Sequence, residues 1–217
     1  MKREKARGRL PAGKLLMALG LVLLLCAGGL LAYNQWDDRR AGEESEAAAI
    51  ALVEEIQSGK VEIQKVVEEA PEGPSAELLQ VAELDGSRYM GVLTIPKLER
   101  ILPVQSDWSL PKLKKSPCRY SGSLTGGELV ICAHNYRKHF GGLATLSLGV
   151  SVVFTDLEGN QTFYEVREIY TVAATDIDGM VNSGYDLSLF TCNYGGKARI
   201  TVRCSRTEAP ADTGAAE

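Results

Sequence analysis

Residues 15–36, LLMALGLVLLLCAGGLLAYNQW, carry no charged side chain. As a helix this run spans roughly 33 Å at about 1.5 Å per residue, enough to cross the hydrocarbon core of a bilayer. Tyr33 and Trp36 stand at its far end, where amphipathic rings favour the interface. Lys2, Arg3, Lys5, Arg7, Arg9 and Lys14 precede it, and Asp37–Asp38 follow it. The positive-inside rule then keeps residues 1–14 in the cytoplasm and puts residues 37–217 outside the membrane. A cleaved signal peptide fits less well, because the run exceeds a usual apolar region and no clear A-x-A site follows. A lipoprotein signal at Cys26 also fits poorly, because Leu25 stands where a small residue is needed. Cys26 is read as a small apolar residue of a membrane helix.

The 217 residues leave room for one ordinary domain beyond this anchor. Of 24 basic and 28 acidic residues, six basic and one acidic precede Asp37, so 18 and 27 remain after it. The bulk of the chain is acidic, which argues against a nucleic-acid groove, because phosphate binding needs a basic face. Five cysteines (Cys26, Cys118, Cys132, Cys192, Cys204) show no CxxC spacing, so a four-ligand zinc site is not expected. His134 and His139 are the two histidines available to any imidazole chemistry.

Residues 41–77 carry ten glutamates and two lysines. Ala47, Ile50, Val53 and Ile56, then Ile63, Val66 and Val67, recur at three- and four-residue steps. The pattern predicts one or two amphipathic helices broken near Ser58–Gly59 and ended by Pro71, Gly73 and Pro74. A charged helical stalk is the expected role. From about Leu78 the chain reads as short strands: Tyr89–Leu98, Glu128–His134, Ser151–Asp156, Thr162–Thr171, Asp186–Cys192 and Arg199–Cys204. DLEGN, Asp156–Asn160, is a hairpin signal. A mostly β, closed or nearly closed barrel with short helices is expected, preceded by a transmembrane helix and a helical stalk. The expected divisions are a basic tail 1–14, an anchor 15–36, a stalk and linker 37–84, a barrel 85–206 and a disordered tail 207–217.

Alternation in DLSLFTC puts Ser188, Phe190 and Cys192 on one strand face. In RITVRC, Arg199, Thr201 and Arg203 share a face. The six residues between Cys192 and Arg199 suit a hairpin loop, which would set the two side by side. A guanidinium near a thiol favours thiolate and can hold an oxyanion. In ELVICAH, Val130, Cys132 and His134 share a face, and His134 closes the strand. It is the candidate acid and base for a thiol nucleophile. Against this stand plainer readings: a buried filler cysteine, a solvated strand-end arginine, or cystines pairing Cys192 with Cys204 or Cys118 with Cys132.

At these residues the chain resembles the sortase family. SLFTC (Ser188–Cys192) resembles the T-L-x-T-C signature, with Ser188 in place of the first Thr. RITVRC (Arg199–Cys204) is similar to the R-x-x-V-R strand with the catalytic arginine. ELVICAHN (Glu128–Asn135) resembles the strand ending in the catalytic histidine, with Ala133 where many sortases have Gly. MGVLTIPKLERILPV (Met90–Val104) is similar to the opening strand. The likeness covers about residues 88–206, in the family's order. It implies a sortase-like barrel in which Cys192 is the nucleophile, His134 its acid/base partner and Arg199 the oxyanion residue. Arg203 and His139 are the rivals, ranked second for distance from the thiol and for a loop position. Asp107–Trp108 resembles the Asp-aromatic pair of the inhibitory lid in pilin-polymerising sortases, but follows the opening strand instead of preceding it.

The resemblance further implies a single-pass cysteine transpeptidase outside a Gram-positive-type cell. Its substrate would be an LPxTG-like sorting motif of secreted proteins, and its acceptor an amine of a cell-wall precursor or a pilin. No cofactor is expected; calcium modulates some relatives, but no acidic cluster here compels it. The alternative is a non-catalytic anchored β-barrel that binds a surface partner. The S-H-G-x-x-R/N-C signature of L,D-transpeptidases is absent.

Overall fold

The computed structural model describes residues 12–69, 76–193 and 195–209. The expected basic tail lies almost wholly outside them. So do Pro71, Gly73, Pro74 and most of the expected disordered tail. The chain divides into two units, Met1–Arg39 and Arg40–Glu217.

In the first unit, helix α1 (Ala12–Ser58, which continues into the second unit) presents Leu15, Leu16, Met17, Leu19 and Leu21–Leu25 outward, all more than half exposed. Such a surface is unfavourable in water, and by length and composition this helix is a candidate membrane span. The Tyr33 and Trp36 rings lie 6.0 Å apart.

In the second unit, the remainder of α1 buries Ala41, Ser45, Ala49 and Leu52, a stripe at four- and three-residue steps. Leu52 packs with Ala82, Tyr89, Val92 and Leu157. This part of the expected helical stalk therefore packs on the barrel through its apolar stripe. It ends where expected. Gly59 adopts φ +64°, Gly59 N donates to Ile56 O at 3.1 Å, and Lys60 N donates to Glu55 O at 3.0 Å. That pair of bonds is a Schellman ending, which needs a residue at ease in the left-handed region.

The second amphipathic helix expected over residues 63–67 does not form. Val66 and Val67 instead form β1 (Gln64–Glu69), paired antiparallel with β2 (Ala76–Leu84). Spacing of three and four favours a helix, but over so short a run β-branched residues favour the pleated element and pairing with β2 decides. Asp85 and Gly86, both at positive φ, turn the chain into β3 (Ser87–Ile95).

The remaining strands are β4 (Arg100–Gln105), β5 (Cys118–Ser123), β6 (Gly127–Ala133), β7 (Ser151–Asp156), β8 (Gln161–Ala173), β9 (Leu187–Cys192) and β10 (Ala198–Thr207). Their order is β3-β4-β5-β6-β9-β10-β8-β7, and β7 pairs back onto β3, closing an eight-stranded barrel. The expected strands are all present. The structure adds β1, β2, β4 and β5, and it ends the first expected strand at Ile95, before Pro96. Two short helices, α2 (Leu110–Leu113) and α3 (Asp178–Val181), lie in the β4–β5 and β8–β9 connections.

Alternation sorts side chains to two cores. Leu129, Ile131 and Ala133 of β6, Leu187 and Leu189 of β9, and Val202 and Cys204 of β10 fill the barrel interior. Val130 and Cys132 of β6 and Phe190 of β9 face outward into a second cluster with Cys118, Tyr120, Val172 and Met180.

Candidate active site

Strand β9 lies between β6 and β10. Cys192, its last residue, is the antiparallel partner of Arg199 on β10. Directly opposed residues project to one face, with Cβ atoms about 4.5–5.5 Å apart. On the other side, β6 runs parallel to β9 and Ala133 is the partner of Thr191. Cys192, the last residue of β9, comes next on one side, and His134 on the other stands just past the end of β6 instead of closing it. The thiol thus stands between an imidazole strand and a guanidinium strand, all three at one end of the sheet. All three side chains are partly buried.

Two local arrangements hold this geometry. Thr191 Oγ1 donates to Ala133 O at 2.8 Å inside the barrel, fastening β9 to β6 one residue before the pair. Asn193 Oδ1 accepts from Ala198 N at 3.0 Å, and Asn193 N donates to Ala198 O at 2.9 Å, closing the β9–β10 loop. Arg199 Nη1 donates to Gly196 O at 3.2 Å within that loop. The His134 ring meets Tyr136 at 5.1 Å between centroids, and Tyr136 meets His139 at 5.3 Å.

The outward cluster leads away from Cys192 along the same sheet face. Tyr120 touches Phe190 edge-on at 5.1 Å, and Trp108 stacks on Tyr120 at 5.6 Å. Asp107 is ion-paired with Lys112. The result is a second, buried apolar core on the thiol's side of the sheet.

Both rivals are occupied elsewhere. Arg203, 1% exposed, donates from Nε and Nη2 to Tyr170 Oη at 3.0 and 2.8 Å and from Nη1 to Met180 O at 2.9 Å. It also bonds Ser188 Oγ and Gly179 O. Ser188, the departure from the sortase signature, is therefore a buried partner of an arginine. His139 is fully buried, its Nε2 3.3 Å from Ala41 O.

All five cysteines are free thiols. Cys192 projects outward and Cys204 inward, so the pairing of these two is excluded. Burial pushes the Cys118 and Cys204 thiols up to about 12, and burial followed by the neighbouring Cys118 pushes Cys132 up as well. Such thiols stay protonated at neutral pH and are poor nucleophiles. A separate cavity of about 500 Å³, lined by residues of α1 and β4 including Ala49, Ile50, Arg100 and Leu102, contains none of the three candidate residues.

Thr191, Asn193 and the outward apolar residues escaped the reading of the sequence as parts of the site. Thr191 stood within the signature, but its bond crosses between strands 58 residues apart in the chain.

A closed eight-stranded barrel carrying these groups at one rim has the sortase-like fold. The sortase-domain family model matches residues 93–207, more than half of the chain, and the chain belongs to the sortase family. Members of this family are cysteine transpeptidases. Sortase C1 from Streptococcus agalactiae is 26% identical with a TM-score of 0.53, covering 59% of this chain and 72% of that one. Sortase C1 from Streptococcus suis is 24% identical with a TM-score of 0.51, covering 58% and 76%. Sortase C from Clostridium perfringens is 21% identical with a TM-score of 0.50, covering 80% and 90%. No curated protein matches the chain.

Proposed function

We propose that this protein is a membrane-anchored sortase whose Cys192 cleaves a C-terminal sorting motif of the LPxTG-like class in secreted proteins. The observation that carries the reading is the register: Cys192 opposite Arg199, and one step beyond the Ala133–Thr191 pair that leads to His134.

The thiol proton passes to His134. The thiolate attacks the carbonyl carbon before the scissile bond. Arg199 and a backbone N–H hold the tetrahedral oxyanion, where a fixed charge counts most because it develops in the transition state. The imidazolium protonates the departing amine, and a thioester remains. An acceptor amine, from a cell-wall precursor or a pilin, attacks the thioester, and His134 takes back a proton. The domain works on the outer side of the membrane, in keeping with the basic residues before the span.

The test is mass spectrometry of a thioester trapped with a panel of sorting peptides. Cys192→Ala abolishes it, whereas Cys118→Ala, Cys132→Ala and Cys204→Ala keep most of it. Full acyl transfer by the Cys192→Ala protein overturns the reading.

A further inference from the structure

Three cysteines face outward on neighbouring strands: Cys118 on β5, Cys132 on β6 and Cys192 on β9. Their spacing is unequal. Cys118 and Cys132 are direct partners across the antiparallel β5–β6 pair. Opposed residues have Cα atoms about 4.5–5.5 Å apart, within the 4.4–6.8 Å that a disulfide spans, and their Cβ atoms point the same way. Both side chains belong to one buried cluster. Cys192 is placed differently. The partner of Cys132 on β9 is Phe190, so Cys192 lies two residues further along the adjacent strand. That diagonal is roughly 8 Å, from a strand spacing of about 4.8 Å and a rise of about 3.3 Å per residue, too long to bridge without moving backbone. Cys204 faces the barrel interior.

Of the two strands joined by such a bond, β5 has the weaker hold on its other neighbour. β4 and β5 share a single pair, Gln105 with Cys118, and the β5–β6 register shifts twice. Cys118 Sγ donates to Ser116 O at 3.5 Å and accepts from Gln105 Nε2 at 3.6 Å. Only the first of these bonds needs the thiol proton. A covalent tie at Cys132 also fastens β6 two residues before His134.

We propose that Cys118 and Cys132 are a redox pair that closes a cross-strand disulfide, locking β5 to the strand that leads to His134 and leaving Cys192 free. Closure forms one S–S bond. The two thiols give up two protons and two electrons to a disulfide oxidant, a small-molecule or protein disulfide, which is reduced to two thiols. The buried pair exchanges slowly once folded, so closure belongs to the folding of the chain in an oxidising medium.

The full-length chain in detergent is refolded from urea in a glutathione redox buffer, alkylated under denaturing conditions and digested without reductant. The expected product is a linked pair of peptides containing Cys118 and Cys132, lighter than their sum by two hydrogen masses, with Cys192 outside any link within the chain. Melting with and without dithiothreitol then shows the oxidised form higher, by roughly 6–12 °C for a closed loop of this length. Cys118→Ser and Cys132→Ser remove both the link and the dithiothreitol shift. Recovery of Cys118 and Cys132 as separately alkylated or glutathione-capped residues overturns the proposal, as does a link from either to Cys192. These readouts do not depend on peptide transfer.

Discussion

Arg199 and Arg203 share a face of β10, yet their surroundings differ. Arg203 is sequestered among Ser188, Tyr170 and two carbonyls, while Arg199 is partly exposed and opposes Cys192. Replacing them separates structure from chemistry. Arg203→Met is expected to lose about 2–4 kcal/mol in urea unfolding, because it strands several buried polar partners. Arg199→Lys is expected to leave unfolding unchanged and to cut kcat/KM by about 10²–10³, the scale of an oxyanion donor. Cys204 gives a pH signature. Its thiol, pushed up by burial to about 12 from an ordinary value of 9.0, holds its proton more tightly folded than unfolded. Stability is therefore fully present below pH 9 and falls as pH rises from 9 towards 12, by an amount on the order of 4 kcal/mol across that window. Melting curves of Cys204→Ala, less stable at neutral pH, should decline less steeply in the same range.

At the scale of elements, the second half of α1 shows why part of the fold was legible and part was not. The break at Ser58–Gly59 could be read because glycine ending a helix has a local cause. The strand after it could not, because Ile63, Val66 and Val67 follow the helical spacing and only pairing with β2 overrides it. Strands β4 and β5 escaped because proline and serine interrupt their apolar pattern. The pairing of Cys192 with Arg199 was readable, since alternation assigns each a face at the mouth of the β9–β10 hairpin, whereas His134 stands one residue past the strand expected to hold it. The packing of the helix was not, because nothing local says that Leu52 meets Leu157. Leu52→Ala tests that contact. It is expected to cost about 2–5 kcal/mol by urea unfolding, as for other fully buried leucines, and an unchanged midpoint would mean that the helix does not support the barrel.

For the molecule as a whole, the uncharged run and the barrel do separate jobs. Full-length protein is expected in the membrane fraction of expressing cells, and a chain lacking residues 1–36 in the aqueous fraction with the circular dichroism of a folded β domain. Recovery of the full-length chain in the aqueous fraction would remove the anchor. The topology itself was out of reach of the sequence, because the parallel β6–β9 pairing joins segments more than fifty residues apart. That pairing has one last consequence. With β6 on one side and β10 on the other, the strand bearing Cys192 has no vacant edge, so under the proposed function an incoming polypeptide cannot extend the ladder there and zip its main chain onto that strand. It must lie crosswise over the sheet and be read through its side groups, which favours selection of a few residues around the cut over any preference for extended β-structure upstream.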